Sequence, residues 1–290
     1  MIEDPSKYWS TDILNGEYVK TERYPYYQLR LKTVAEILSQ RGGGRILDIG
    51  CGGGHISVMC AAMGHEVWAC DFAETQVKLT ANKLAEWGYP PRVRQTNILD
   101  LSAHPADYFD VILALSPLEY VPKPKHPIAY REMRRVLRKD GYIINQVING
   151  LFDAMTFNSF TVAFWREHIL PEFFGPEDIE RYIPMIAALM THPNKPDVGT
   201  KYGSTRQEVE STVENPFTYA DEVRQYGFEE VDRLYYHLHM LPPLLFEQLE
   251  NGDAIENNAY RLEEKYRRHW IGMLLSGDWI SILEPQIPGR

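Results

Sequence analysis

Apolar residues along this chain alternate between two rhythms from about residue 25 to residue 148. Short continuous runs, Ile46-Leu47-x-Ile49, Val67-Trp68-Ala69-Cys70 and Val111-Ile112-Leu113-Ala114-Leu115, read as strands buried on both faces of a parallel sheet. Between them apolar residues recur every three or four positions, the helical period. A helix is predicted over 25–40, with Leu31, Val34, Ile37 and Leu38 on one stripe, Pro25 in its first turn, and Gly42-Gly43-Gly44 ending it. A second covers 55–63, with Ile56, Met59, Ala62 and Met63 on its apolar positions. A third covers 73–87, burying Val77, Ala81 and Leu84 and stopping at Gly88 before Pro90-Pro91. Strands are expected at 46–49, 66–71, 93–97, 109–115 and 142–147. This alternation predicts a parallel sheet with helices on both faces.

After Gly150 the rhythm changes. Residues 151–170 are rich in aromatics (Phe152, Phe157, Phe160, Phe164, Trp165) at helical spacing, and another helical piece begins near Pro176. Residues 192–214 are polar, with Pro193, Pro196, Gly199 and Gly203, and read as a loop. We read 150–216 as an insertion covering the site; the alternative is that its aromatics simply pack on the sheet. A helix over 215–226, a sixth strand running to His239, a helix around 255–270 and a last strand over 279–283, antiparallel to the sixth, return the chain to the sheet. The organisation expected is one domain of 290 residues: an irregular arm (1–24, with Tyr8, Trp9, Tyr18 and Tyr24), a core (25–149), the insertion, and the remainder of the core (217–290).

The chemistry concentrates where the first strand ends, at Asp48-x-Gly50-x-Gly52-x-Gly54. Glycines here let the backbone turn sharply and let a ligand lie against it, at the strand-to-helix junction where open α/β sheets bind nucleotide-like ligands. The dinucleotide spacing G-x-G-x-x-G would need a small residue at 55, and His55 stands there. Asp48 would repel a pyrophosphate and attract an ammonium group, so a cofactor with an amino-acid end fits better.

Residues 46–54 resemble the first motif of the class I S-adenosylmethionine-dependent methyltransferases, in the branch that includes quinone-biosynthesis and natural-product enzymes. Further matches follow in order over residues 30–148. Asp71 ends the second strand where the family has a carboxylate for the ribose, with Phe72 beside it. Asn97-Ile98 falls where the family usually has an acidic contact to the adenine; Asn97 departs from that pattern, though its amide oxygen can accept the same bond. Residues 109–115 resemble strand four, ending in Leu115. Leu118-Glu119-Tyr120-Val121 resembles the segment after it, with Tyr120 where many relatives carry His. Residues 130–141 are similar to the helix and turn before strand five. The resemblance implies a Rossmann-like sheet, mostly parallel with its last strand antiparallel. It implies S-adenosyl-L-methionine as cofactor, held by backbone amides and carbonyls around Gly50, Cys51, Gly52 and Gly54, with Asp48 near the ammonium.

Composition narrows the setting. Hydrophobic residues make up 44% of the chain and charged residues 24%, as in a soluble globular protein, and no apolar run suffices for a membrane span. Met1-Ile2-Glu3-Asp4-Pro5 has no apolar secretory segment. Three cysteines, at 51, 60 and 70, form neither a disulfide framework nor a metal-ligand spacing. The expected setting is cytoplasmic. The formal charge of −10 argues against nucleic acid; the cluster Arg131, Arg134, Arg135, Arg138 and Lys139 reads as a solvated helix face.

The implied reaction is attack on a sulfonium methyl, which requires no metal. A small-molecule acceptor bearing a hydroxyl or protonated amine needs a base within hydrogen-bond reach. Tyr120 and Glu119 follow the end of strand four with Ser116, and His237 and His239 lie two apart on a predicted strand; these four, Tyr120, Glu119, His237 and His239, are the candidate catalytic residues. Tyr120 reads equally as an aromatic wall, Ser116 and Glu119 as helix caps, and the histidines as structural. His168 is a lesser candidate. Tyr26 and Tyr27 can close over the cofactor or simply pack. An oxygen acceptor is expected, with nitrogen or sulfur acceptors and a non-catalytic cofactor-binding module as alternatives. A homodimer is compatible with the sequence.

Overall fold

The computed structural model describes residues 26–190, 211–239 and 252–286, the backbone alone over 252–258; the expected arm (1–24) and most of the expected loop (192–210) lie outside them. Helix α1 (Tyr26–Arg41) leads into β1 (Arg45–Ile49), α2 (His55–Ala62), β2 (Glu66–Asp71), α3 (Glu74–Glu86), β3 (Val93–Gln95) and β4 (Phe109–Ala114). After two single 3-10 turns come α4 (His126–Val136) and β5 (Leu137–Ile148). The strands lie in the order β3-β2-β1-β4-β5-β7-β6. The first five pair in parallel, while β7 (Ser276–Pro285) runs antiparallel between β5 and β6 (Phe228–Leu238). The expected Rossmann-like sheet with its last strand antiparallel is therefore the observed one.

Strand alternation sends side chains to two buried faces. One carries Leu47, Ile49, Phe109, Ile112 and Trp279 against Tyr130, Met133 and Val136 of α4. The other carries Ile46, Val111, Ile144, Tyr236 and Ile280 against Leu29, Val34 and Ile37 of α1. By the same alternation Asp48, Gln146 and Asp278 belong to the α1 face, polar groups in an otherwise apolar layer.

Several boundaries differ from the sequence reading. β5 begins at Leu137 rather than near 142, because Leu137 pairs with Phe109 and a register shift before Val111 absorbs the charged residues between. Arg138 reaches Asp110 at 3.1 Å, and a Cβ at Gly141 would lie 2.7 Å from the Asp110 carbonyl. Residues 151–170 are not one helix. They break into a 3-10 stretch (Gly150–Met155), α5 (Ser159–Phe164) started by the Asn158 side chain on the Phe160 amide, and a π turn (Trp165–Ile169). The next helix, α6 (Pro176–Met190), starts where expected. Asn215 forms an Asx turn to Phe217 at 2.9 Å, so α7 (Tyr219–Gln225) starts four residues late. The expected helix around 255–270 is two, α8 (Gly252–Tyr266) and α9 (Trp270–Leu275).

The helices flanking the glycine bend are also rotated from their predicted stripes. α2 buries Ile56, Ser57 and Cys60, and α3 buries Gln76, Thr80 and Leu84, while Met59, Val77 and Ala81 are only half-buried. The polar residues turn inward because they serve the bend.

Candidate active site

The bend itself uses left-handed backbone at Gly50, Gly52 and Gly54 (φ 71°, 51° and 77°), conformations in which a Cβ is strained. A Cβ on Gly54 would sit 2.9 Å from Thr80, so this glycine lets α3 close on the bend. A Cβ on Gly52 would meet nothing within 4 Å: that side of the bend is open space. Thr80 donates to the Gly52 carbonyl at 2.6 Å. The amides of Gly50 and Cys51 both donate to the Cys70 carbonyl, at 2.8 and 3.1 Å, and that of Gly54 to Cys51 at 3.0 Å. The N–H groups at these positions are engaged inside the fold.

Asp71 closes the bend from β2. One carboxylate oxygen accepts from Gly52 N at 3.0 Å, the other from Ala73 N at 2.9 Å. Its burial raises its pKa, partly offset by these amides. Asp48 is buried and accepts from Ser57 Oγ at 2.5 Å. Burial pushes it up to about 6, the Ser57 hydrogen bond pulling the other way. Cys51, Ile98 and Leu115 are buried around the bend's neighbouring strand ends, and Phe72 is half-buried. Asn97 is exposed, and its amide oxygen accepts from Leu99 N at 2.9 Å; a carbonyl oxygen keeps a second lone pair.

Past β4, Ser116 takes a left-handed φ of 83°, strain that starts the 3-10 turn Pro117–Tyr120 and seats Pro117 against Gly50. Glu119 is buried and Tyr120 half-buried. Glu119 accepts from Gln146 Nε2 at 3.2 Å, and the same nitrogen donates to Tyr26 Oη at 2.8 Å. Arg30 donates to Gln146 Oε1 at 3.1 Å, and Tyr236 Oη to Tyr26 Oη at 3.3 Å.

The Tyr26 ring lies 4.6 Å from that of His237, centre to centre. His237 has left-handed backbone, φ 62°, and its Nδ1 is 3.2 Å from Asp278 Oδ2. Glu263 of α8 fixes the next residue by accepting from Leu238 N at 2.9 Å. His239 does share a face with His237 (centroids 4.5 Å apart) and stacks on Phe152 at 4.5 Å. Burial and then the neighbouring His237 hold the His239 pKa well below the usual range, so it stays neutral near neutrality. His168 is exposed, packed on Phe164.

The residues that the sequence reading missed are Arg30, Gln146 and Asp278. Each left a signal: a cation on the apolar side of α1, an amide inside an apolar strand, and an acid at the start of the last one.

Among the described residues one group has metal-ligand atoms within 4.8 Å of one another: His126, Glu214 and Glu222. The Lys123 ammonium already binds both carboxylates, Glu222 at 2.6 Å.

Compared with known proteins, residues 46–141 match the family described as methyltransferase domain. That span, about a third of the chain, carries a methyltransferase domain of the class I S-adenosylmethionine-dependent kind. Ubiquinone biosynthesis O-methyltransferase of Xanthomonas axonopodis pv. citri is 34% identical over 121 residues, 42% of this chain and 49% of that protein. The namesake from Alkalilimnicola ehrlichii is 31% identical over 160 residues, 53% and 64% respectively. The chain thus spans about half to just under two thirds of these relatives' length. A putative methyltransferase of Haloferax volcanii, solved in complex with the Trm112 methyltransferase activator, superposes with a TM-score of 0.56 at 12% identity, covering 99% of this chain and 100% of that one. A SAM-dependent methyltransferase from Archaeoglobus fulgidus gives 0.51 at 16%, covering 93% and 97%. These two likenesses are of fold. Among the described residues no helix is long and apolar enough to cross a membrane.

Proposed function

We propose that this methyltransferase-family chain transfers the methyl group of S-adenosylmethionine to a small-molecule acceptor, at oxygen. The residues fit such a cofactor: the open side of the bend at Gly52 leaves room against the backbone, and Asp48 and Asp71 offer carboxylates to an ammonium and a ribose. In this reading Ile98, Leu115 and Phe72 flank the nucleoside, and Asn97 accepts from the adenine amino group with its second lone pair. The bound cofactor supplies an electrophilic methyl on a positively charged sulfur. The chain's own work is to bind, orient, exclude water and take the acceptor's proton.

The observation that carries the acceptor reading is the buried pair His237–Asp278. If Nδ1–H of His237 donates to Asp278, the ring is fixed with Nε2 as proton acceptor. Gln146, Tyr26 and Glu119 then orient the acceptor's polar groups, Tyr120 forms its wall, and the His239 ring, neutral and stacked on Phe152, packs His237 in place. In this reading the described part of the 150–216 insertion, where Phe152 stacks on His239, covers the site of a single catalytic domain. The relatives named O-methyltransferases favour oxygen. The test is transfer of labelled methyl from the cofactor to a pool of small hydroxylated metabolites, comparing wild type with Asp278→Asn and His237→Gln. Label transferred by wild type and cut at least about tenfold in both variants supports the reading. Transfer undiminished in His237→Gln removes the base assignment, and label appearing on amines or thioethers moves the acceptor to nitrogen or sulfur.

A further inference from the structure

Apart from the crevice, a polar cluster forms where four pieces of chain meet: Lys123 after β4, His126 at the start of α4, Glu214, and Glu222 of α7. Lys123 donates to Glu214 Oε2 and, at 2.6 Å, to Glu222 Oε1. Tyr226 Oη donates to the same Glu222 oxygen at 3.0 Å. Two ionised carboxylates against one ammonium leave a negative charge over, and Glu214 is buried. A buried surplus of one sign calls for a further cation.

His126 marks where that cation would stand. The residue is 2% exposed. Its Nε2 lies 3.0 Å from the Val121 carbonyl; a carbonyl only accepts, so Nε2 carries the ring's proton. Burial, then the Lys123 charge, lower the pKa of the ring, with the Val121 carbonyl opposing. The neutral ring keeps Nδ1 as a bare lone pair. It faces Glu214 Oε1, the oxygen that Lys123 does not hold, at 3.8 Å. Two acceptors thus confront each other across a gap too long for a hydrogen bond. The gap suits two ligands of one cation, since bonds of about 2.1 Å place ligand atoms about 3.0–4.2 Å apart. A Glu222 oxygen completes a set of three ligand atoms within 4.8 Å of one another. The bond from Nε2–H to a backbone carbonyl is the kind that orients metal-binding imidazoles.

We propose that His126 Nδ1, Glu214 and Glu222 bind a divalent cation of the Zn2+ type, with Lys123 competing for the carboxylates. An imidazole among carboxylates suits Zn2+ better than Mg2+, which takes oxygen ligands. Lys123 has 37% of its side chain exposed, so its ammonium has a path to water when displaced. The cation takes no part in methyl transfer. It staples α4, α7 and segment 212–214 together, and Thr212 carries that hold to the acceptor turn. Thr212 Oγ1 donates to the Val121 carbonyl at 3.0 Å and its amide to the Glu119 carbonyl at 2.7 Å.

The test is calorimetric titration of the chelator-stripped full chain with Zn2+, and with Mg2+ for comparison, in wild type, His126→Gln, Glu222→Gln and Lys123→Met. Glutamine at 126 keeps a donor for Val121, and at 222 an acceptor for Tyr226; metal-free melting curves show that each variant folds. Wild type should bind one Zn2+ at this site, at least about tenfold more tightly than Mg2+. His126→Gln and Glu222→Gln should each weaken Zn2+ at least about tenfold, and Lys123→Met should tighten it about 3- to 10-fold. Zn2+ should raise the melting temperature of wild type more than that of His126→Gln. No Zn2+ bound by wild type overturns the proposal, even if Lys123→Met binds it. Affinity unchanged in folded His126→Gln and Glu222→Gln overturns it too, placing the ion elsewhere, and Mg2+ bound as tightly as Zn2+ overturns the choice of cation.

Discussion

Asp48 is a carboxyl group that the fold holds against its own stability. Burial raises it to about 6 from 3.8, so the folded chain binds its proton more tightly than the unfolded chain does. That contribution to stability is complete below about pH 4 and is lost as pH rises through 6. Asp48→Asn keeps an acceptor for Ser57 and removes the charge. It should raise the melting temperature at pH 7.5 by about 3–6 °C and leave it unchanged below pH 4, while weakening cofactor binding. A lower melting temperature at pH 7.5 would show that the charge stabilises the fold. At His237 the expected loss is kinetic: Asp278→Asn should cut turnover about 10- to 100-fold with cofactor affinity unchanged in calorimetry. Gly277 offers a steric counterpart, since a Cβ there would stand 3.1 Å from His237 Nδ1. Gly277→Ala should therefore slow turnover in the same direction, again without moving cofactor affinity.

One short segment, 212–214, ties the end of the insertion to the core. Glu214 pairs its backbone with Ile148 and Gly150, and Thr212 donates to the Glu119 carbonyl at 2.7 Å, so the segment touches both β5 and the turn that carries Glu119. The Glu214 carboxyl beneath is pushed up to about 7, chiefly by burial, with Lys123 opposing. Because that pKa is raised, its contribution is full in acid and lost as pH rises through 7. Hydrogen-exchange protection at Thr212 and Glu214 should fall about tenfold between pH 6 and pH 8 after correction for intrinsic rates, and Lys123→Met should lower it further. Protection independent of pH would contradict the clamp.

At this scale the sequence was uneven to read. The apolar runs of β1, β2 and β4 announce themselves because central strands are covered on both faces. Arg138, Lys139 and Asp140 hid the start of β5, since a register shift that tolerates charge leaves no apolar trace. The aromatics of 151–170 imitate a continuous helix, while the local breaks depend on side-chain caps such as Asn158. Buried Ser57 and Thr80 defeat a hydrophobic stripe because their partners, Asp48 and the Gly52 carbonyl, come from another part of the chain.

For the whole molecule, the sheet order explains why one edge collects the chemistry. The chain winds outward from β1 through β2 to β3, then returns to the other side of β1 with β4, and the crevice at that reversal lies outside the carboxyl ends of the strands. The bend, Asp71, Ser116, Gln146 and the end of β6 all stand there, and antiparallel β7 brings Asp278 to the same edge opposite Tyr236. The glycine bend could be read locally. The Arg30–Gln146 and His237–Asp278 pairs, 116 and 41 residues apart in sequence, exist only once the sheet has formed. A ligand seated in that crevice at a hundred times its dissociation constant should stabilise the fold by about 2.7 kcal/mol, visible as a melting shift.

The most direct test is calorimetric titration of S-adenosylmethionine into wild type and Asp71→Asn. The account predicts one site per chain in wild type and affinity about 10- to 100-fold weaker in the variant, from hydrogen bonds to a buried carboxylate. No heat in a folded wild type, or equal affinity in both proteins, would contradict it.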